Sequence, residues 1–287
     1  MRERGRAHPY TVLDVFTDRP LAGNALAVVH DADHVSDETM AAFARETRLA
    51  ETTFVQTATE DGADYRNRIW TVAAEVPFAG HPSLGTAVAV AEARGKSDAL
   101  YVQQTGAGMQ PIEARRSGDV WRASMLQDPA TFGAEVDPRH VMAAAGLVPA
   151  DAHRDHPPQT VSTGLPTLVA LVSREAAIAS AVPDFALVEA LLASCGAVNL
   201  YLAWYDGNRG ARARMFTQLV EGGEDPATGS AAGPLCAYLH ARGITPRVEI
   251  SQGMEIGRPS TLLAEVAGDR VRVSGGVVVV IRGEVTL

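Results

Sequence analysis

The sequence predicts an α+β protein built from two similar lobes, and three observations support this prediction. The chain of 287 residues is long enough for two domains that each bury a core. Four pairs of segments recur in the same order in its two halves. The last pair continues into small apolar residues, and residues 86–91 carry no polar face, which is typical of a helix that is buried on all sides. We therefore expect two lobes, with sheet wrapped around a central helix.

The first two repeated pairs predict a strand, a helix and a second strand in each half. Residues 22–29 and 163–172 are glycine turns followed by apolar, β-branched runs that indicate buried strands. An amphipathic helix follows in each half, with Ser36 and Asp184 as the expected N-caps. Each helix then leads into a further apolar or β-branched run. These runs are residues 52–55 and 200–204.

The other two pairs lead to the segments that we consider functional. Residues 68–71 and 214–217 are β-prone stretches that precede glycine-containing turns. Behind them, we align residues 81–87 with 225–231, so that His81 matches Asp225. Both segments predict a helix with proline near its first turn and glycine at its end, and Asp225 is a favoured N-cap for a helix starting at Pro226.

The boundary between the lobes is expected just after Leu126. Strand patterning stops there, and turn-forming residues gather over 127–133. We therefore predict an N-terminal lobe over residues 1–128 and a C-terminal lobe over 129–287.

Composition excludes several classes of function. The net charge of -9 offers no basic surface for nucleic acid, and no apolar run is long enough to span a bilayer, so we expect a cytoplasmic protein. Two cysteines without CxxC spacing, and eight histidines without HExxH, indicate neither a disulfide nor a metal. Residues 105–108 lack the third glycine of a dinucleotide fingerprint and are better explained as a turn, so no cofactor is predicted.

The chemistry-bearing candidates each have a structural alternative. Two facing helix starts would hold an anion, which predicts a small carboxylate substrate. Glu51, at a helix-to-strand junction with its counterpart near Asn199, is either a proton-handling group or a solvated strand end. His81 can relay a proton or bind a carboxylate, whereas Asp225 can cap its helix, act in catalysis, or do both. Three hydroxyls at the helix starts can cap or bind a ligand oxygen: Ser83, Thr228 and Ser230.

Several motifs follow one another from about residue 10 to the end of the chain. They are residues 14–17 with 23–24, then 51–54, 75–82, 224–231 and 257–260. In order and spacing, these motifs resemble one enzyme family, the PhzF-like isomerases of phenazine biosynthesis. The resemblance implies the fold of diaminopimelate epimerase, with a mixed sheet around a central helix in each lobe and the active site between the lobes. It also implies a cofactor-independent enzyme that is often a homodimer.

The resemblance also implies roles for individual residues. In the family a glutamate moves a proton between carbons of a small carboxylate, and that glutamate corresponds to Glu51. Its catalytic companions are then His81 and Asp225. The resemblance adds Gly80 and Ser230 to the active site. Together with Ser83 and Gly229 at the same helix starts, these are the expected substrate-binding residues. Local geometry departs from the family where Ala25, Ala50 and Val72 replace proline, serine and proline.

Two other functions stay open. Epimerases of this fold use two cysteines at the helix starts, but Cys195 and Cys236 lie elsewhere and those places carry His81 and Asp225. A racemase, epimerase or dehydratase of a small amino or hydroxy acid is therefore an alternative that needs other groups. A metabolite-binding protein without catalytic activity is the second alternative.

Overall fold

The computed structural model describes residues 5–287, which divide into two compact units. The first unit comprises residues 5–125 and 275–287, and the second comprises Leu126–Ser274. The sequence placed all of 129–287 in the second lobe. Residues 275–287 instead belong to the first unit, because they form most of a long final strand, Arg270–Thr286, whose register pairs Ala7 with Thr286 and Val15 with Val277.

The first unit contains eight of its own strands and two helices. The strands are β1 (Ala7–Val15), β2 (Asn24–Val29), β3 (Glu51–Gln56), β4 (Tyr65–Trp70), β5 (Glu75–Val76), β6 (Asp98–Thr105), β7 (Gly108–Ser117) and β8 (Val120–Leu126); the helices are α1 (Asp37–Thr47) and α2 (Gly80–Ala93). Strand β2 runs antiparallel to β1 and parallel to β3, while β4 runs antiparallel to both β3 and β5. Strand β6 lies parallel to β4 and forms a hairpin with β7. The turn of this hairpin is residues 105–108, as predicted.

The second unit repeats this arrangement. Its strands are β9 (Thr131–Glu135), β10 (Gln159–Ser162), β11 (Pro166–Leu171), β12 (Asn199–Tyr205), β13 (Gly210–Phe216), β14 (Glu224–Asp225), β15 (Arg247–Gln252) and β16 (Ser260–Ala267), followed by β17 (Arg270–Thr286), which continues into the first unit. Its helices are α3 (Pro138–Ala144), a 3₁₀ turn (Pro149–Asp151), α4 (Glu175–Ser180), α5 (Phe185–Cys195) and α6 (Gly229–Ala241). Strand β9 begins within residues 127–133, which the sequence predicted to be turns. It pairs antiparallel with β10.

Strand pairing confirms the internal repeat. Strands β11 and β12 are parallel, β13 is antiparallel to β12 and β14, and β15 is parallel to β13 and antiparallel to β16. This is the order and direction found from β2 to β7. The registers also agree: Leu26 pairs with Glu51 in the first unit, and Thr167 pairs with Asn199 in the second. Asn199 is therefore the structural counterpart of Glu51, as the sequence predicted.

Each unit packs surface helices on one face of its sheet and a central helix on the other. Helix α1 begins after Ser36, whose side chain accepts a hydrogen bond from the Thr39 N–H, and buries Met40 and Ala44 against Val29 and Phe54. In the second unit, α5 begins after Asp184 as predicted. It packs with α3 and α4 against alternate residues of β11 and β12. These are Leu168, Ala170, Leu200 and Leu202.

The central helices are α2 and α6, and both are buried along most of their length. In α2 every residue from Gly80 to Ala91 is buried, which confirms the prediction for residues 86–91. Close packing requires glycine at one position in each helix. A Cβ on Gly85 would collide with the side chain of Leu26, and one on Gly233 would collide with Gln127.

The two central helices begin at residues that the sequence alignment did not match. Helix α2 starts at Gly80 after Ala79, and α6 starts at Gly229 after Thr228. The short strands before them also correspond, because Trp70 pairs with Glu75 as Phe216 pairs with Glu224. The alignment of His81 with Asp225 was therefore wrong, and so was the assignment of Asp225 as a helix cap. His81 corresponds to Ser230, and Asp225 corresponds to Val76 in β5.

Candidate active site

Glu51 and His81 come together in the first unit. Glu51 is the first residue of β3, and His81 lies in the first turn of α2. The Oε2 atom of Glu51 is 3.2 Å from Nε2 of His81, and the two side chains are 14% and 7% exposed. The two atoms are not aligned as a hydrogen bond. Contacts between catalytic groups are often poorly aligned until a substrate binds, so this geometry suits a proton-handling pair.

Burial decides the charge of His81. Desolvation lowers the pKa of His81 to about 3, although a hydrogen bond to the backbone of Ala25 opposes this shift. The imidazole is therefore neutral at physiological pH. The bond to Ala25 uses the main chain, so it does not depend on the side chain at this position. A neutral ring can donate from one nitrogen and accept at the other.

Hydroxyl groups fix α2 against the sheet. Thr53 and Thr86 share a hydrogen bond of 2.8 Å, and the Thr53 hydroxyl also donates to the carbonyl of Ala27. The hydroxyl of Ser83, which was predicted to bind substrate, is buried and donates to the carbonyl of Ala79 at 2.8 Å. No side chain caps the start of α2 at Ala79. The main-chain N–H groups of Gly80 and His81 are thus the donors that this helix start offers, since Pro82 has none.

Asp225 is held by a buried polar network in the second unit. Its Oδ2 atom accepts a hydrogen bond of 2.6 Å from the hydroxyl of Thr228, and the side-chain amide of Gln252 donates to its carbonyl at 2.8 Å. Tyr201 in turn donates to Gln252 at 2.9 Å. Burial, with a smaller contribution from the charge of Asp225, raises the pKa of Tyr201 well above its usual value, so the phenol stays a donor. The network fixes the carboxylate at the end of β14.

The start of α6 carries the other two predicted residues. Gly229 is buried as the first helical residue, and Ser230 follows it with a partly exposed side chain. The Thr228 side chain does not cap the helix, because its hydroxyl is bound to Asp225. The side-chain amide of Gln127 donates to the Gly229 carbonyl at 2.9 Å and thereby orients this turn.

An arginine–glutamate pair supports each short strand. In the first unit Arg68 donates two hydrogen bonds to Glu75 and a third to Asp37. In the second unit Arg214 donates two to Glu224, at 2.8 and 2.7 Å. Neither pair was proposed from the sequence, although both segments that lead into the helices begin Glu-x-Pro and have glycine at the sixth position. This shared spacing was the signal for the correct alignment.

Cysteine chemistry is not available at the helix starts. Cys236 lies inside α6, its thiol contacts the carbonyl of Pro246, and burial raises its pKa to about 12. Cys195 ends α5 and donates to the carbonyl of Leu192. Residues 5–287 contain no group of three or more histidine, cysteine or acidic side chains that could hold a metal. Over the same residues, no helix is long and apolar enough to cross a membrane.

Comparisons with known proteins identify the family. Residues 13–283 match the PhzC-PhzF model, described as phenazine biosynthesis-like protein. The chain is 39% identical, over 93% of both sequences, to the trans-2,3-dihydro-3-hydroxyanthranilate isomerase of Pseudomonas aeruginosa. A solved structure of a predicted epimerase from the same organism matches with a TM-score of 0.86 at 38% identity, covering 97% of this chain and 99% of that one.

A more distant likeness concerns the fold alone. A hydroxyproline epimerase from Agrobacterium vitis superposes with a TM-score of 0.65 at 15% identity, covering 100% of this chain and 94% of that one. The α+β architecture is thus shared with the proline racemase and epimerase folds. The match over nearly the whole chain, together with relatives that are named isomerases, shows that this protein belongs to the PhzC-PhzF phenazine biosynthesis-like family and is an isomerase.

Proposed function

We propose that the protein moves a proton between two carbon atoms of a small carboxylate-bearing metabolite, without a cofactor, and that Glu51 carries this proton. The observation that carries the proposal is the Glu51–His81 pair, whose facing atoms are 3.2 Å apart. The side chain of Glu51 keeps 14% exposure, so a substrate can reach it while most water is excluded. A carboxyl group in such a place can take up a proton and return it.

The neutral state of His81 supports a reversible role for Glu51. An imidazolium ion at this distance would favour the charged carboxylate and oppose its protonation. Because burial keeps His81 uncharged, Glu51 can pass through both protonation states during one turnover. Since the ring donates to Ala25 from its other nitrogen, Nε2 of His81 then accepts a hydrogen bond from the protonated carboxyl group of Glu51 or from a hydroxyl group of the substrate. A single base that removes and returns the proton accounts for isomerisation without a second acid.

The helix starts are proposed to bind the oxygen atoms of the substrate. The first turns of α2 and α6 lack side-chain caps, so the N–H groups of Gly80, Gly229 and Ser230 are the donors that a carboxylate needs. The hydroxyl of Ser230 adds a further donor. Asp225 is proposed to hold a proton-bearing group of the substrate, since its position is fixed by Thr228. Ser83 has a supporting role, because its hydroxyl already binds Ala79.

The first candidate substrate comes from the relatives. The similar proteins of three Pseudomonas species are named trans-2,3-dihydro-3-hydroxyanthranilate isomerases. This compound unites a carboxylate with a conjugated ring, which is the chemistry that a carboxylate base requires to remove a proton from carbon. We propose it as the compound with which activity is first measured.

The test compares Glu51→Gln with the wild-type protein in deuterated water. Glutamine keeps the shape of the side chain but cannot carry the proton, so we expect turnover to fall about 10²–10⁴-fold. Deuterium incorporation into the product should fall in parallel. The matched control is Glu46→Gln in α1, which removes an exposed carboxylate and should leave both rates unchanged. Wild-type turnover in Glu51→Gln would remove this side chain from the mechanism.

The same reaction mixture separates the alternatives. An epimerase or racemase would invert a stereocentre and leave the unsaturation in place, whereas a dehydratase would release water. A binding protein without activity would turn over no metabolite, and its ligand would still bind after Glu51→Ala. The buried, protonated Cys236 argues against a thiol-based racemase.

A further inference from the structure

The second unit contains a polar site at the place that Glu51 and His81 occupy in the first. The equivalent strand position is Asn199, and the equivalent helix position is Ser230. Beside Asn199 in the parallel ladder stands Thr167, which corresponds to the apolar Leu26. Three small polar residues thus replace a leucine, a glutamate and a histidine.

Two of these polar side chains are buried without a partner. Thr167 is 0% exposed and Asn199 is 4% exposed. Among the described residues, neither the Thr167 hydroxyl oxygen nor Oδ1 of Asn199 has a hydrogen-bond partner. By contrast, the side chains of three other buried polar residues in this unit all form hydrogen bonds: Tyr201, Gln252 and Thr163. Two adjacent orphaned groups within an otherwise satisfied region point to a ligand.

The alternation of side chains along the strands shows which way these two residues face. Leu168 and Leu200, the next residues along β11 and β12, belong to the core under α3 to α5. Thr167 and Asn199 therefore lie on the opposite face, where α6 packs against β11. Tyr201 shares that face and reaches Gln252, which binds Thr228 next to the start of α6. The two orphaned groups face the central helix.

The two orphaned atoms are both oxygens that accept hydrogen bonds, which favours an occupant with donor groups. The Oδ1 atom of asparagine only accepts hydrogen bonds, and a threonine hydroxyl accepts as well as donates. Pro234 lies one turn into α6 and has no N–H, so it cannot donate to the carbonyl of Ser230 as a regular helix would. A group with N–H or O–H donors is therefore the complement of this site.

We infer that Thr167 and Asn199 form a subsite that binds an amino or hydroxyl group of the ligand. The inference rests on the proposed function in one respect: it takes the ligand to be the carboxylate substrate. It adds which residues bind the donor group that such a substrate carries besides its carboxylate. The subsite selects substrates by that donor, while proton transfer belongs to Glu51.

The experiment measures selectivity without turnover. Anthranilate and benzoate differ only in an amino group, and their affinities for the 287-residue protein are measured by titration calorimetry. We expect the wild type to prefer anthranilate about tenfold, as one net hydrogen bond provides. Thr167→Val and Asn199→Leu keep the side-chain shape and remove the acceptor, so each should reduce this preference to about onefold. Both variants should melt at or above the wild-type temperature, because a buried orphan is replaced by an apolar group.

Thr245→Val is the matched control. Its hydroxyl is also buried but donates to the carbonyl of Arg247 at 2.8 Å, so this variant should keep the preference for anthranilate and lose thermal stability. Three results would overturn the subsite: no binding or no preference in the wild type, a preference that survives in both variants, or marked destabilisation of both. Because the titrations involve no catalysis, they can succeed even if Glu51→Gln keeps full turnover and the proposed function fails.

Discussion

The two units have the same strand pairing but different chemistry. In both, a parallel strand pair is followed by an antiparallel strand, a short strand supported by an arginine–glutamate pair, and a buried central helix. The differences lie at matched positions on the side of the sheet that faces this helix. Glu51 is matched by Asn199, and His81 is matched by Ser230. Only the first unit has titratable groups at both of these positions.

This difference shows that the repeated strand arrangement and the side chains at the helix starts can vary independently of each other. Strand register depends on hydrogen bonds between main chains, so it tolerates a change of side chain at the strand starts. The proposed proton transfer depends on side chains at two positions, Glu51 and His81. Different side chains, Asn199 and Ser230, stand at the matched positions of the second unit without altering the sheet.

The largest expected difference between the units is in how much the arginine–glutamate pair of each short strand contributes to the free energy of unfolding. Arg214 and Glu224 are 8% and 9% exposed, whereas Arg68 and Glu75 are 12% and 36% exposed. Glu224→Ala leaves a buried guanidinium without its carboxylate, so we expect a loss of about 3–5 kcal/mol in the free energy of unfolding. Glu75→Ala should cost about 0–1 kcal/mol, since its carboxylate is partly solvated and Arg68 keeps its bond to Asp37. Urea unfolding of the two variants measures the difference.

A second substitution controls for lost packing. Adding Arg214→Met to Glu224→Ala removes the buried charge as well, and it should recover part of the lost stability. Equal losses in the two single variants would contradict the comparison, because they would mean that burial of the pair does not set its contribution.

Local patterns allowed much of the fold to be predicted from the sequence. The strand–helix–strand segments, the caps Ser36 and Asp184, and the buried helix around residues 86–91 depend on periodicity and capping, which act over a few residues. The match of Glu51 with Asn199 followed from these segments. The pairing of residues 275–287 with β1 joins the two ends of the chain, and no local signal predicts such a contact.

The helix starts were misaligned for a different reason. Asp-Pro before a run of small residues is a typical N-cap signal, and the prediction used it at Asp225. The structure instead places Asp225 in a short strand paired with Met215, because the buried Arg214–Glu224 pair fixes the preceding residue. A contact between side chains distant in sequence therefore overrode a local preference. Asp225 has two tertiary neighbours, Tyr201 and Gln252, and no pattern in the sequence predicted either contact.

The second expected difference is a pH dependence that only the first unit provides. His81 is neutral in the folded protein because burial lowers its pKa to about 3, while in the unfolded chain its pKa is about 6.5. The unfolded state therefore binds a proton that the folded state rejects. The stabilising contribution is complete above about pH 6.5 and is lost as the pH falls toward 3. Between pH 7.5 and 5.5 this loss is about 1.4 kcal/mol.

The measurement compares urea unfolding of wild type and His81→Asn at these two pH values. The variant should lose less stability on acidification, by about 1.4 kcal/mol. Ser230→Ala changes the matched position of the second unit, which has no titratable group, and should follow the wild-type pH dependence. The comparison is repeated with Glu51→Gln, because Glu51 faces the imidazole. If His81→Asn loses as much stability between pH 7.5 and 5.5 as the wild type does, burial does not keep the His81 ring neutral.

The smallest expected effect concerns the thiol of the central helix in the second unit. A thiol-based epimerase needs cysteines at both helix starts, but Cys236 lies within α6 and burial raises its pKa to about 12. Removal of both cysteines, by Cys195→Ala and Cys236→Ala together, should cost about 1 kcal/mol of stability, since it trims mainly one buried side chain. Deuterium incorporation into the product should be unchanged. Loss of incorporation in a folded double variant would mean that a thiol, rather than Glu51 alone, carries the proton. The functional difference between the two units would then lie at the cysteines.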